Sequence, residues 1–284
     1  MLIDLHCHST ASDGTQDPAD VMARAAAAGA DVVALTDHDT TAGLAAAAGA
    51  LPGGLTLVPG AELSCRLDEM SIHMLAYLFD PEEPDLAAER ARVREARTGR
   101  ARATVDRLVG LGAPVTWAQV RDLAAGGTVG RPHIARAMVA AGVVPDVQAA
   151  FTADWLAPGG RAYVTRYALD PVRAVRLIRA AGGVAVLAHP RASRRDYLVS
   201  DPVIELLVEA GLAGLEVDHP DHDADDRAHL RGLAAARGLI ATGASDDHGS
   251  MTGHRIGAEA TADDQYERLL AAASGARPVP GGAT

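Results

Sequence analysis

The first chemistry in the chain is a pair of imidazoles. In Asp4-Leu5-His6-Cys7-His8-Ser9 the two histidines alternate along an expected first strand. Side chains at i and i+2 of a strand share a face, so His6 and His8 can grip one ion. Asp13 follows in a Ser12-Asp13-Gly14-Thr15 turn that can fold a carboxylate back over the strand end. Cys7 alternates with the histidines and reads as a core residue on the opposite face.

Further apolar runs end in, or carry, the same residue types: His38 after residues 31–35, Glu62 after 55–59, His73 within 71–79, His189 after 184–188, and Asp246 and His248 after 239–242. With His6, His8 and Asp13 they make nine candidate ligands, and because one metal takes three or four, the set implies two to three divalent ions with a shared bridge. Glu62 is the best bridge, since its two oxygens can be divided between ions. Imidazoles and carboxylates without a thiolate suit Mn, Fe or Zn. Such a cluster points to hydrolysis by an acidified water.

The elements that must position these residues alternate. Pro18 opens a helix that Gly29 closes; further helices are expected at 40–48, 171–181, 202–210 and 224–237. Each follows or precedes an apolar strand, 212–217 included, so seven strands alternate with helices. That pattern predicts an α/β fold, a parallel (β/α)7 TIM-like barrel with its ligands on the rim of C-terminal strand ends. The rhythm breaks after Pro81-Glu82-Glu83-Pro84, where residues 81–161 read as a helical insert with a long Arg/Glu-laced helix at 86–108. The expected organisation is a barrel from 1–80 and 162–273, the insert between, and a flexible Gly/Pro-rich tail at 274–284.

Composition narrows the class. At 284 residues with 48% hydrophobic and 22% charged residues, the chain can bury a full core. A net charge of −11 argues against a general nucleic-acid coat but permits an anionic substrate beside bound cations. No apolar run approaches the ~20 residues that cross a bilayer. Met1 leads directly into Leu2-Ile3-Asp4-Leu5, so no signal peptide is expected, and two cysteines suit a reducing cytoplasm.

The motifs DLHCHS, SDG, TDHD, GAELS, SIHMLAY, VLAHP and SDDHG together resemble the PHP (polymerase and histidinol phosphatase) family of metal-dependent phosphoesterases. The resemblance spans nearly the whole chain. It implies a distorted seven-stranded barrel with a trinuclear site: His6, His8, Glu62 and Asp246 on one ion, Asp13, His38 and His189 on a second, Glu62, His73 and His248 around the third. A hydroxide held between metals would attack a phosphomonoester, with Glu62, Asp246 and His189 as catalytic ligands.

Asp13 stands where the histidinol phosphatase branch often carries His. It resembles instead the branch acting on nucleotide phosphates, including 3′,5′-bisphosphates and short RNA ends. Gly130-Arg131-Pro132-His133 opens a helix whose first turn suits a phosphate and resembles the segment in which Arg and His meet substrate, so Arg131 and His133 are expected substrate contacts. His222 is a further expected phosphate contact, and Asp247 is expected to orient His248. His229 and His254 read as structural or exposed. The competing functions are histidinol phosphatase, a proofreading-type exonuclease, and a non-catalytic metal-stabilised binding module.

Overall fold

The computed structural model describes residues 1–68, 70–192 and 198–282. Strands β1 (Ile3–Cys7), β2 (Val32–Leu35), β3 (Thr56–Leu67), β4 (Met70–Tyr77), β5 (Val184–Leu187), β6 (Gly214–Asp218) and β7 (Ile240–Gly243) are hydrogen-bonded in that order. A bridge from Cys7 to Asp247, with the His8 N–H donating to the Asp247 carbonyl at 2.8 Å, brings the two ends together. The result is a nearly closed seven-stranded barrel. VVAL of β2 and VAVL of β5 are buried along their whole length, as strands covered on both faces must be.

Helices α1 (Pro18–Ala27) and α2 (Leu44–Gly49) flank the first strands. Cys7 packs with Val21 and Met22 of α1, opposite the histidine face. Inside the barrel the Tyr77 hydroxyl donates across to the Leu5 carbonyl at 2.8 Å.

The all-parallel expectation fails at β4, which is antiparallel to both β3 and β5. The reason is local. β3 runs on through Glu-Leu-Ser-Cys-Arg-Leu to Leu67 and the chain returns as β4 with no helix between, and a hairpin needs only a short connection where a parallel crossover needs a dozen residues or more. This reversal explains why His73 lies near the start of its strand: Ser64 pairs with His73 and Glu62 with Leu75, so the beginning of β4 lies at the rim where β3 carries Glu62.

The insert comprises α3 (Pro84–Gly110), α4 (Trp117–Leu123), α5 (Arg131–Ala140) and α6 (Val147–Ala150). Val105, Leu108, Val120, Ile134, Met138 and Leu156 form its own apolar cluster. Leu86 and Val93, in the first half of α3, pack instead with the barrel. The barrel resumes with α7 (Pro171–Ala180), α8 (Asp201–Ala210), α9 (Ala224–Arg237) and α10 (Asp263–Ala272).

The expected flexible tail is pinned over its described length. β4 covers β3 only from Gly60 onward, and β8 (Val279–Pro280) pairs with Thr56 and Leu57 on the uncovered edge. Unpaired edge groups take such a partner readily. The Ala276 N–H donates to Leu78 and that of Gly281 to Leu55, at 2.7 and 2.8 Å. Residues 283 and 284 lie outside the described residues. Among the described residues no helix is long and apolar enough to cross a membrane.

Candidate metal centre

All nine expected ligands gather at one rim, around Glu62. Glu62 Oε2 lies 3.2 Å from His6 Nε2, His8 Nε2 and His38 Nδ1, while its Oε1 lies 2.7 Å from His73 Nδ1 and 3.1 Å from His189 Nε2. Asp246 Oδ1 faces the same histidine pair, 3.5 Å from His6 and 3.4 Å from His8. Asp13 closes the other side, 3.7 Å from His38 Nε2 and 3.5 Å from His248 Nε2. Ligand atoms converge within 4.8 Å in three overlapping groups: His6-His8-Asp246, His8-Asp13-His38-His248, and His38-Glu62-His73.

These groups differ from the sets the resemblance implies. His248 stacks on His8, 4.0 Å between ring centroids, and faces Asp13, whereas His189 sits against Glu62 and away from the Asp13 group. The exchange follows from strand order: β7 lies beside β1 and β5 beside β4.

The donor set fits divalent ions. His6 Nε2 and His8 Nε2 are 3.0 Å apart, a spacing at which two imidazole lone pairs need a proton or a cation between them. Asp13 Oδ1 is buried without a hydrogen bond. Although burial opposes its charge, Glu216, Glu62 and Asp246 hold His6 well above the usual imidazole range. Glu62, despite burial, is held well below the carboxylate range by His38, His73 and His6. The neighbourhood thus keeps Glu62 anionic.

A layer of acids fixes the ligands from behind. Glu216 Oε1 is 2.9 Å from His6 Nδ1, and its Oε2 accepts the His189 N–H at 2.7 Å, which leaves His6 Nε2 facing inward. Asp37 accepts the N–H and hydroxyl of Ser9 and the hydroxyl of Ser12 at 2.8, 2.6 and 2.6 Å, bracing the loop that leads to Asp13. A Cβ on Gly14 would sit 2.5 Å from the His8 carbonyl oxygen, so the turn requires glycine. His189 and Asp246 take φ of 29° and 49°, left-handed values that a non-glycine residue holds only under constraint, and both present ligands just past strand ends.

Of the residues expected to meet substrate or to orient a ligand, three make contacts within the fold. His222 Nδ1 donates to the Val217 carbonyl at 2.8 Å and its Nε2 accepts the Arg191 N–H at 3.2 Å, leaving no ring nitrogen for a phosphate. His133 is buried, and its Nδ1 accepts the Gly130 N–H at 3.0 Å, capping α5. Asp247 accepts from Gly249, Thr252 and the Arg255 N–H, building the loop after β7; the His248 Nδ1 bonds the Asp246 carbonyl instead.

His219 is fully buried with Nε2 3.4 Å from Asp246 Oδ2. Its Nδ1 accepts the Asp221 N–H at 3.0 Å, so in the neutral ring Nε2 carries the proton toward Asp246. Like His8 after β1, it lies just past a strand end.

The insert reaches the rim directly. The Thr128 N–H donates to the Ala11 carbonyl at 3.0 Å, and a Cβ on Gly127 would collide with the Thr10 carbonyl oxygen at 2.0 Å. The Gly130 Cβ position is 3.7 Å from Asp13 Oδ2 and 3.5 Å from Arg97 Nη1. Arg131, next along, has its guanidinium 5.7 Å from the Phe151 ring centroid.

A barrel rim of histidines and carboxylates, with a helical insert leaning over it, defines a metal-dependent hydrolase. The PHP domain family model matches residues 4–91. A 3′,5′-nucleoside bisphosphate phosphatase of Chromobacterium violaceum is 36% identical over 264 residues, 89% of each chain. A 5′-3′ exoribonuclease of Haemophilus influenzae is 35% identical over 249 residues, 86% of this chain and 89% of its own. A crystal structure from Bifidobacterium adolescentis, assigned as a metal-dependent phosphoesterase, superposes with a TM-score of 0.89 at 35% identity over 96% of both chains. The chain belongs to the PHP family of metal-dependent phosphoesterases.

Proposed function

We propose that the protein hydrolyses phosphomonoesters of nucleotides, nucleoside 3′,5′-bisphosphates foremost, at a centre of two to three Mn, Fe or Zn ions. The observation that carries this reading is Glu62, whose two oxygens are approached by five imidazoles, with Asp13 and Asp246 on either side. His6, His8, Glu62 and Asp246 would hold one ion, and Asp13, His38 and His248 with His8 a second; His73 and His189 approach Glu62 Oε1, where a third would bind. Bound divalent ions supply an acidic water as nucleophile and neutralise phosphoryl oxygens.

The protein's own groups do the positioning. Glu62, Asp246 and His189 would hold the ions that acidify the attacking water, and Glu216 keeps His6 and His189 in place. The His219 Nε2–H is aimed at Asp246. Arg131, beside the Gly130 that overhangs Asp13, would meet substrate phosphate. The relatives named for nucleoside bisphosphate and RNA support the nucleotide assignment, and 5′-phosphorylated short RNA is the second reading because the exoribonuclease is of nearly equal similarity. A screen of Mn-loaded protein on adenosine 3′,5′-bisphosphate, a 5′-phosphorylated trinucleotide, histidinol phosphate and an aryl phosphate tests the assignment. The bisphosphate is expected to give the highest kcat/KM; preference for histidinol phosphate overturns the substrate, and no turnover of any overturns the enzyme.

A further inference from the structure

The three acids on the rim present their oxygens differently. Both oxygens of Glu62 face imidazoles, His73 and His189 at Oε1 and His6, His8 and His38 at Oε2. Asp13 is alike, with Oδ1 toward His248 and Oδ2 toward His38. Asp246 is divided. Its Oδ1 lies 3.5 Å from His6 Nε2 and 3.4 Å from both His8 Nε2 and His248 Nδ1. Its Oδ2 points the other way, 3.4 Å from His219 Nε2 and 3.6 Å from Arg255 Nη2.

Neither neighbour of Oδ2 can itself serve as a metal ligand. A guanidinium carries donors only. His219 Nδ1 is taken up by the Asp221 N–H, so the neutral ring keeps its proton on Nε2, where a ligand would need a lone pair. That Nε2 is buried without a formed hydrogen bond, and Asp246 Oδ2 is the acceptor it faces. Turning Oδ2 away would leave a buried N–H with nothing in front of it, which is costly. The backbone of Asp246 is held as well. Its carbonyl accepts from Arg255 Nη2 and from His248 Nδ1, each at 3.0 Å, at a residue with φ of 49°. Arg255 is anchored in turn by its own N–H, which donates to Asp247 Oδ1 at 2.7 Å.

We propose that His219 and Arg255 are positioning residues that retain Asp246 Oδ2, so that Asp246 meets its ion through Oδ1 alone. The inference rests on the metal centre proposed above and goes beyond it by assigning each oxygen of this ligand. A carboxylate can bind an ion through one oxygen or both, and holding one back leaves a place on that ion for water or a phosphoryl oxygen. Glu62, with imidazoles at both oxygens, is left to bridge.

Crystals of the Mn-loaded full-length protein and of Mn-loaded His219→Leu test the assignment directly. In the wild type Asp246 Oδ1 is expected about 2.0–2.2 Å from the ion, with Oδ2 outside the coordination. In His219→Leu both oxygens should turn to the ion. At saturating Mn this variant should lose roughly ten- to a hundredfold in kcat on adenosine 3′,5′-bisphosphate, with Mn content and KM little changed. His219→Gln, whose amide can offer an N–H toward Oδ2, should recover most of the rate. A ring that only filled space would be replaced better by leucine than by glutamine. Arg255→Gln disturbs no fully buried ring and should show the same change at smaller size, so it decides the matter if His219→Leu does not fold. Coordination through both oxygens in the wild type, or through Oδ1 alone in the variants, overturns the inference; so does a higher rate with leucine than with glutamine. A wild type that binds Mn but hydrolyses no phosphate ester defeats the functional reading, and the crystals still decide this one. A wild type that takes up no divalent ion defeats both.

Discussion

The barrel rim and the insert face each other across a few ångströms with opposite electrostatic designs. On the rim, acids and imidazoles interleave, and further acids back some of the ligands, as Glu216 backs His6 and Asp37 braces the Asp13 loop. In the insert the charged groups facing the rim are arginines: Arg97 Nη1 lies 3.5 Å from the Gly130 Cβ position, and Arg100 has its Nε buried without a hydrogen bond. The rim is therefore suited to cations, and on the function proposed above the insert side would meet the negative charge of the substrate. On that reading chemistry would belong to the first region and choice of substrate to the second.

The largest effect should come from breaking the rim at its centre. Glu62→Gln is expected to lose activity by roughly a thousandfold or more, the scale on which groups acting as a unit fail. Elemental analysis should show reduced metal content in the same variant. Full activity with full metal content would dissolve the bridging role.

Removing the metals sharpens the comparison from the other direction. Ligand binding at a thousand times Kd is worth about 4 kcal/mol, so chelation should lower Tm by several degrees and Mn should restore it. His8, against the effect of burial, is raised to about 10 by Asp246 and Glu62. Protons thus occupy the metal-free site over the neutral range, and lowering the pH favours them further. Loading should release protons and metal affinity should weaken as pH falls, which titration calorimetry in buffers of different ionisation heat detects; affinity independent of pH would contradict it.

A smaller loss is expected from the acid behind the rim. Glu216→Gln should weaken metal binding by roughly ten- to a hundredfold, as loss of a carboxylate partner to a ligating histidine does. Arg131→Ala, on the insert side, should cost roughly ten- to a hundredfold in kcat/KM with normal metal content. A metal deficit in that variant would mean the two regions are not separable. The smallest effect belongs to Cys7→Ser: a hydroxyl placed beside α1 costs about 1–3 kcal/mol of stability, with metal content retained.

The rim was legible in the sequence because a ligand just past a strand end is a local pattern; DLHCHS, TDHD and SDDHG each announce one. What was not legible is relational. The pairing of β3 with β4 depends on the 62–67 stretch continuing as strand, and residues 55–59 alone do not reveal it. Whether His219 or His222 faces the rim depends on which ring is taken up by backbone groups, in this case those of Val217 and Arg191. Gly-Arg-Pro-His was visible as a helix start, but Arg97, whose guanidinium ties the insert to Asp39 and Ser64, has no motif to mark it. The tail misled by composition: Gly and Pro read as flexible until Val279 finds the open edge of β3.

The central claim is that Glu62 stands between metal ions. An anomalous difference map from Mn-loaded crystals tests it most directly. Two or three peaks are predicted, with the Glu62 carboxylate between at least two of them, each about 2.0–2.2 Å from imidazole nitrogens or carboxylate oxygens of the nine residues. A lone peak, or peaks that leave Glu62 outside the coordination, would contradict the account.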